Sequence, residues 1–135
     1  MCKSNHKVPS DFYNYKTLEI IRLGLSTDYF YFAKEELQLS KRELSRLIGL
    51  NINSTLKLEG KNGRLPPKSS EKLLMILDLL QQLDSYFGER ETSLKWLKKP
   101  NIFTGNMPPL SVCDTAVGIN LVANEITLLK YGLTA

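Results

Sequence analysis

The sequence predicts an all-α protein, and three features lead to that expectation. Apolar residues recur at helical spacing in several stretches, most extensively between Leu73 and Leu83. The tetrapeptide 40–43, SKRE, has the pattern of a capping box, in which a serine hydroxyl and a glutamate carboxylate bond free amides at a helix start. Glycine and proline separate these stretches at intervals that suit turns between helices. We therefore expect a helix-turn-helix bundle joined by a long helix to a small helical C-terminal domain.

Residues 1–16 are expected to form a flexible arm. The single histidine, His6, lies in this arm and is interpreted as a solvated residue rather than as a metal ligand or catalytic base. The two cysteines, Cys2 and Cys113, are far apart and fit neither a disulfide framework nor a metal-binding pattern. The N-terminal stretch lacks the apolar core of a signal peptide, and no apolar run approaches membrane-spanning length. These features predict a reduced cytoplasmic protein.

The next apolar stretch predicts a helix with one core face. Thr27 and Asp28 have side chains that can cap its start. Phe30, Ala33 and Leu37 follow at positions i, i+3 and i+7, which places them on the same side of the helix.

Two short helices separated by a tight turn are predicted from Ser40 onward. Ser40 and Glu43 cap the first helix, and Ser45 is small where a second helix must cross closely. Gly49 supplies the turn, and Asn51 can cap the second helix. This arrangement is typical of a helix-turn-helix, whose second helix enters the DNA major groove with its N-terminal end.

Positive charge is concentrated in this part of the chain. The formal net charge of the whole chain is +4, but between Lys41 and Lys68 lysine and arginine outnumber glutamate by seven to two. A basic surface suits a polyanion such as DNA, because phosphates release counterions on binding, and a merely solvated face is the alternative. The candidates for contacts to base edges are Asn53, Ser54 and Lys57. The candidates for phosphate contacts are Arg42, Arg46, Lys61 and Arg64.

The longest predicted helix starts after the Pro66-Pro67 turn, with Ser69 or Ser70 as its cap, and ends at Phe87-Gly88. Its apolar residues extend almost around the cylinder, so it must be covered on more than one side and has spare surface for a homodimer seam. The stripe consists of Leu73, Ile76, Leu77, Leu80 and Leu83. The predicted domains are the arm at 1–16, the helix-turn-helix domain at 17–68, and the connecting helix with the C-terminal domain at 69–135.

The C-terminal part predicts two more helices with a loop between them. Trp96 is expected to anchor the core near the end of one helix, which Pro100 stops. Asp114 and Thr115 precede the last helix as capping groups, and Gly132 ends it. Leu110 and Cys113 are expected to pack inward, and the last helix presents Leu121, Val122, Ile126 and Leu129 as its apolar series.

Two stretches resemble known families. The order W-L-x-x-P-N, P-L, D-T-x-x-G-x-x-x-V and Y-G between Trp96 and Gly132 resembles the C-terminal toxin-binding domain of the Xre/MbcA/ParS antitoxins. Residues 39–58, LSKRELSRLIGLNINSTLKL, resemble the Xre (Cro-like) helix-turn-helix. The resemblance implies an antitoxin that binds and blocks a RES-domain toxin that degrades NAD, and that autoregulates its operon by binding operator DNA. By position it implies toxin contacts at Gly118, Val122, Ile126, Tyr131 and Gly132, with Lys130 as an addition.

A second argument for the tail comes from the residues themselves. A short amphipathic end with an aromatic anchor and few charges can fill a partner's cleft by burying apolar area. The alternative is that Val122 and Ile126 complete the domain's own core.

Two other functions stay open from sequence alone. One is a freestanding helix-turn-helix transcriptional regulator. The other is a toxin inhibitor that no longer binds DNA, because Leu58 stands where relatives often carry arginine. An enzyme is not expected, since the chain has no cysteine–histidine pairing, no metal-ligand spacing and no phosphate-binding loop. No cofactor or metal is expected, and the expected partners are the toxin, operator DNA and a second copy of the chain.

Overall fold

The computed structural model describes residues 12–51, 53 and 63–132. Within these ranges the regular structure is helical and contains no strand, which confirms the all-α prediction. Two compact units divide the chain between Leu74 and Met75. The described α-helices are α1 (Tyr15–Leu23), α2 (Thr27–Leu37), α3 (Lys41–Leu47), α4 (Pro67–Phe87), α5 (Arg90–Lys98) and α6 (Ala116–Lys130), with short 3-10 helices at Ile102–Thr104 and Pro109–Val112.

The first unit starts with α1, which begins inside the segment expected to be an arm. The Asn14 side chain caps this helix by accepting from the Thr17 amide at 2.9 Å. Phe12, just before the cap, is already buried. The ordered helical structure therefore reaches further toward the N-terminus than residue 17.

Gly24 ends α1 where the chain passes very close to the segment before α4. Its φ angle is +93°, and a Cβ atom at this position would lie 2.3 Å from the Leu65 carbonyl oxygen. Only glycine fits, because it tolerates the positive φ and carries no Cβ. The Leu65 amide donates to the Leu25 carbonyl at 2.8 Å, and the Leu25 amide donates to the Ser70 hydroxyl at 2.9 Å. These hydrogen bonds satisfy buried backbone groups with partners that are distant in sequence.

The core face of α2 is confirmed, but its predicted cap is wrong. Phe30, Ala33 and Leu37 are all buried. The helix begins at Thr27 and its cap position is Ser26, without a side-chain capping bond. The Thr27 amide instead donates to the Gly63 carbonyl at 3.2 Å. A long-range backbone hydrogen bond therefore satisfies a free amide at the start of the helix.

The capping box of α3 is confirmed in both directions. The Glu43 amide donates to the Ser40 hydroxyl at 3.0 Å, and the Ser40 amide donates to the Glu43 carboxylate at 2.8 Å. Ser45 is buried, as expected of a small residue at a close crossing. The Asn53 amide donates to the Asn51 side chain at 2.8 Å, which is consistent with the expected second cap. The rest of the predicted second helix lies outside the described residues.

The longest helix, α4, begins earlier than its predicted cap. Pro67 is its first residue, a position where proline's missing amide costs no hydrogen bond. Ser69 and Ser70 therefore lie inside the first turn, and the expectation that one of them caps the helix is wrong. The apolar stripe is confirmed as core, and two flanking leucines are buried with it. The buried residues are Leu73, Leu74, Ile76, Leu77, Leu79, Leu80 and Leu83.

The second unit contains the end of α4, then α5, the two 3-10 helices and α6. As predicted, α4 ends at Phe87, and Gly88 follows with a φ angle of +87°. The loop after α5 is closed by an isolated antiparallel bridge between Asn101 and Met107. Leu110 and Cys113 are buried, which confirms the inward positions expected for them.

Candidate partner-binding surface

The start of α6 is fixed by two local contacts. The Thr115 hydroxyl accepts from the Gly118 amide at 2.9 Å, so Thr115 is the capping residue of the expected pair. A Cβ atom on Gly118 would lie 1.6 Å from the Val112 carbonyl oxygen, a distance that no real Cβ atom tolerates. The helix therefore packs directly on the backbone of the preceding 3-10 helix, and glycine makes this approach possible.

One face of α6 belongs to the core of the second unit. Gly118, Ile119, Val122 and Ile126 are buried along it. Three of the residues implied by resemblance as toxin contacts therefore have their side chains or backbone turned into this unit's own core. In this conformation they fix the position of the helix on which the exposed residues stand.

The opposite face of α6 carries an exposed, uncharged strip that we call the outward stripe. It consists of Val117, Leu121, Asn124, Leu128 and Tyr131. These residues follow one another at intervals of four and three, so at about 100° per residue they fall on one side of the helix. They span roughly 21 Å at about 1.5 Å per residue.

The apolar members of the outward stripe are left to solvent within the unit. Val117 is 79% exposed, Leu121 42%, Leu128 38% and Tyr131 74%. Scattered single apolar residues are ordinary on a protein surface, whereas a continuous row of them marks an interaction site. The outward stripe is therefore the part of the second unit best suited to burial by a partner.

A chain of polar side chains holds the end of α6 against α4. The Lys130 ammonium donates to the Gln82 carbonyl oxygen at 3.1 Å, and the Gln82 amide donates to the Asp78 carboxylate at 2.8 Å. Burial raises the pKa of the Asp78 carboxyl, while the bond from Gln82 and the charge of Lys130 act in the opposite direction. Lys130 thus positions the last turn of the helix, from which Tyr131 projects.

A second exposed feature of this unit surrounds Trp96, whose indole stacks on Phe103 with ring centroids 5.7 Å apart. The expectation that Trp96 is a core anchor holds in part, because its ring packs on Phe103 but is only half-buried. Two shallow adjoining cavities of about 640 and 340 Å³ lie beside it, and we call them together the Trp96 cleft. The residues that line it are Phe87, Thr92, Lys95, Trp96, Lys98, Lys99, Pro100, Asn101 and Ile102.

The candidate DNA contacts in the first unit are described only in part. Arg42 and Arg46 are one turn apart on α3 and both exposed, so they share a face of the helix. Asn53 is exposed as well. Arg64 is exposed and uses one guanidinium nitrogen to donate to the Gly24 carbonyl at 2.9 Å. Ser54, Lys57 and Lys61 lie outside the described residues.

The outward stripe is the feature that the reading of the sequence missed. The sequence pattern groups Leu121 with Val122 in one apolar series and assigns no role to Val117 or Leu128. The signal was present as apolar residues at spacing four and three, offset by one position from the buried series. Choosing which of the two series faces the core requires knowing what α6 packs against.

No group of three or more histidine, cysteine, aspartate or glutamate side chains in residues 12–51, 53 and 63–132 is arranged to hold a metal ion. In the same ranges no helix combines the length and the apolar character needed to cross a membrane.

Comparison with known proteins shows similarity to antitoxins. The chain is similar to a protein named Antitoxin Xre from Photorhabdus laumondii subsp. laumondii, with 23% identity over 96 residues. That alignment covers 70% of this chain and 65% of the relative, which is less than two thirds of the relative's length. Residues 82–132, which include α5, α6 and the Trp96 cleft, match the family model of the antitoxin Xre/MbcA/ParS C-terminal toxin-binding domain. Both similarities support a relationship of this chain to that antitoxin family.

Proposed function

We propose that this protein is the antitoxin of a type II toxin–antitoxin system. In this proposal the second unit binds and blocks a RES-type toxin that degrades NAD, and the first unit binds operator DNA to autoregulate the operon. The protein acts in the cytoplasm, as a homodimer or in a larger assembly with the toxin, and performs no catalytic step itself.

The observation that carries the proposal is the coincidence of the family match with the outward stripe. The matched segment 82–132 ends with α6, and α6 has an apolar face that its own unit does not bury. A helix that presents residues at i, i+4, i+7 and i+11 is suited to lie in a groove of a partner protein. The proposed docking element therefore lies inside the segment whose family description is toxin binding.

Inhibition follows from burial at the end of this helix. Tyr131 projects beyond the last turn, which the bond from Lys130 to Gln82 holds in place. A tyrosine that becomes fully covered buries roughly 150–250 Å². A rigid aromatic anchor of this kind loses little conformational entropy on binding, and such residues often dominate the energy of an interface. In our proposal Tyr131 and the residues after it enter the toxin's cleft and exclude its substrate.

DNA binding is assigned to the first unit on the strength of its charge and its first capped helix. Arg42 and Arg46 present two guanidinium groups on one face of α3, and the basic residues of 54–62 follow in sequence. Phosphate contacts from such groups position a protein on DNA and make binding depend strongly on salt.

The experiment that tests the proposal is co-expression with the product of the adjacent gene. This chain is tagged and purified, and cellular NAD is measured in cells that express the neighbour alone, this chain alone, or both. We expect a stable complex, NAD loss only when the neighbour is expressed alone, and normal NAD in the other two cultures. An electrophoretic mobility assay on the promoter region tests the DNA-binding part separately.

The alternatives predict different outcomes of the same experiment. A freestanding regulator would bind promoter DNA, form no complex with the neighbour and have no effect on NAD. An inhibitor that does not bind DNA would protect NAD but leave the promoter fragment unshifted.

A further inference from the structure

We propose that Asn124 determines the register in which the outward stripe docks on the toxin, by bonding a polar group of the toxin that lies in an otherwise apolar groove. The inference rests on the proposed function, because it names what the toxin must offer to the same helix. It assigns a specificity-determining residue to a surface described so far only by its apolar area.

Asn124 is the central residue of the outward stripe. Val117 and Leu121 precede it, and Leu128 and Tyr131 follow it. At about 100° per residue, the direction of Asn124 falls between those of Leu121 and Tyr131. Its side chain is exposed in the free protein. A partner that covers the apolar residues on both sides of Asn124 must therefore cover its amide as well.

The Asn124 amide has no use within the chain itself. In residues 12–51, 53 and 63–132 this side chain has no hydrogen-bond partner. Thr127, three positions further on, differs, since its hydroxyl donates to the Ala123 carbonyl at 3.1 Å. Asparagine is also one of the poorer helix formers. Neither hydrogen bonding within the described residues nor helix propensity explains an asparagine at this position.

Ion pairs contribute no specificity on this face of α6. From 116 to 129 the one charged residue is Glu125, which is half-buried and lies outside the stripe. Among the stripe residues, Asn124 and Tyr131 have hydrogen-bonding side chains, and Tyr131 stands at the end of the helix. Asn124 is therefore the polar group in the body of the stripe. Its amide both donates and accepts, so it requires a matching group on the partner.

Apolar contacts alone define the register of a docked helix poorly. Their stabilisation depends on the area buried and has no direction, so a row of similar side chains can slide by one turn at little cost. A single asparagine in an apolar helical seam prevents sliding, because a buried amide without a partner lowers the affinity. A shift of one turn would move Tyr131 by about 5.4 Å, away from the position that the proposed inhibition requires.

The alternative is that Asn124 keeps the free protein soluble by interrupting an apolar patch. The two explanations predict opposite effects of Asn124→Leu. If the amide serves only the free protein, leucine adds apolar area to the interface, and the toxin binds as tightly as before or more tightly. If the toxin's groove holds a polar partner for the amide, leucine leaves that partner buried and unpaired, and the affinity falls.

The test measures by calorimetry the affinity of the full chain for the product of the adjacent gene. Asn124→Leu is compared with Asn120→Leu, which adds the same side chain at an exposed position of α6 outside the stripe. Asn124→Ala removes the amide without extending the apolar row, so self-association of the variant cannot imitate a loss of affinity. Circular dichroism and sedimentation check the folding and the oligomeric state of each variant.

We expect Asn124→Leu to bind the toxin on the order of 10–100-fold more weakly than the wild type, with a loss in the same direction for Asn124→Ala. Asn120→Leu should bind as the wild type does.

The register itself is read by photo-cross-linking. Benzoylphenylalanine in place of Tyr131 keeps an aromatic side chain at the end of α6 and joins it on irradiation to the toxin residues that it touches. With Asn124 present, mass spectrometry should identify one cross-linked segment of the toxin. With Asn124→Leu it should identify several, because the helix then occupies more than one register.

The outcomes separate the two proposals. If the wild-type chain forms no complex, the proposed function fails and the inference fails with it. If the complex forms and Asn124→Leu binds with wild-type or higher affinity, Asn124 does not bond the toxin and the proposed function stands. Equal losses from Asn124→Leu and Asn120→Leu, or cross-links from position 131 that Asn124→Leu leaves unchanged, would also overturn the inference and leave the proposed function intact.

Discussion

Replacing Gly118 with alanine should destabilise the second unit, although alanine is the better helix former. A Cβ atom at this position would lie 1.6 Å from the Val112 carbonyl oxygen and 2.6 Å from its carbon. A normal contact needs more than 3.0 Å, so α6 or the preceding 3-10 helix must move by well over an ångström. The obstacle is backbone rather than the end of a flexible side chain, so it cannot rotate away.

The magnitude follows from two opposing effects. Overpacking of a tight site costs about 1–3 kcal/mol, and a backbone obstacle places Gly118→Ala at the upper end of that range or beyond it. The higher helix propensity of alanine offsets about 1 kcal/mol of this loss. We therefore expect a net loss of about 2 kcal/mol. For a chain of this size that corresponds to a fall of roughly 5–10 °C in the unfolding midpoint.

The assay is urea and thermal unfolding followed by tryptophan fluorescence. Trp96 is the single tryptophan and lies in the second unit, so its signal reports on the unit that contains the close contact. Asn120→Ala serves as the control, because it gains helix propensity at an exposed position of the same helix. An unfolding midpoint for Gly118→Ala equal to or above that of the wild type would refute the close approach of α6 to Val112.

Three further outcomes are expected. Tyr131→Ala should weaken toxin binding on the order of 30-fold while leaving the unfolding midpoint unchanged, because the side chain is exposed in the free protein. Replacing both Arg42 and Arg46 with alanine should weaken promoter binding, reduce the slope of log K against log salt by about 2, and leave toxin neutralisation intact. Cys113 should resist iodoacetamide at pH 8 in the folded protein, because burial, with a smaller effect from Asp114, raises the pKa of its thiol to about 12.

Each of these has its own control and contradicting result. Tyr13 matches Tyr131 in exposure and lies in the other unit, so Tyr13→Ala should bind toxin normally; equal losses from the two variants would remove Tyr131 from the interface. Substituting the exposed Lys16 and Arg22 controls for the loss of two charges, and an equal effect on promoter binding would argue against a specific surface on α3. For Cys113, the thiolate fraction stays negligible until the pH approaches 12, so rapid alkylation at pH 8 without unfolding would contradict its burial.

Sequence patterns predicted the features of this fold that depend on near neighbours. The capping box at Ser40 and the buried stripe of α4 were predicted correctly, because each is encoded by residues within a few turns of one another. The end of α4 at Phe87 and the cap at Thr115 were predicted for the same reason.

The features that failed depend on partners distant in sequence. Ser70 looked like a cap, but its hydroxyl accepts the Leu25 amide 45 residues away. Thr27 looked like a cap as well, but its amide bonds the Gly63 carbonyl. In both cases a polar group that could have capped the helix locally forms a hydrogen bond with a residue far away in sequence. No local sequence pattern distinguishes a capping group from one that makes such a long-range bond.

The candidate partner surface was half predictable. The resemblance pointed to α6, the helix that carries the outward stripe, and Tyr131 is exposed at its end. Within the helix the resemblance also implied contacts at Val122 and Ile126, which are buried. The apolar series at helical spacing does not itself indicate which of two faces is covered.

If α6 binds the toxin as proposed, the residues that set partner specificity and the residues that hold the fold lie on different faces of the helix and can change separately. Replacing a buried residue such as Ile126 with alanine typically lowers the free energy of unfolding by about 2–5 kcal/mol. That is a large share of a domain's total stability. Exchanges at exposed positions such as Val117 or Leu121 usually cost less than about 0.5 kcal/mol. Under the proposed function, a duplicated copy of this gene can therefore acquire a new binding preference by substitutions along the outward stripe, and paralogous antitoxin–toxin pairs that do not bind one another can coexist in one cell.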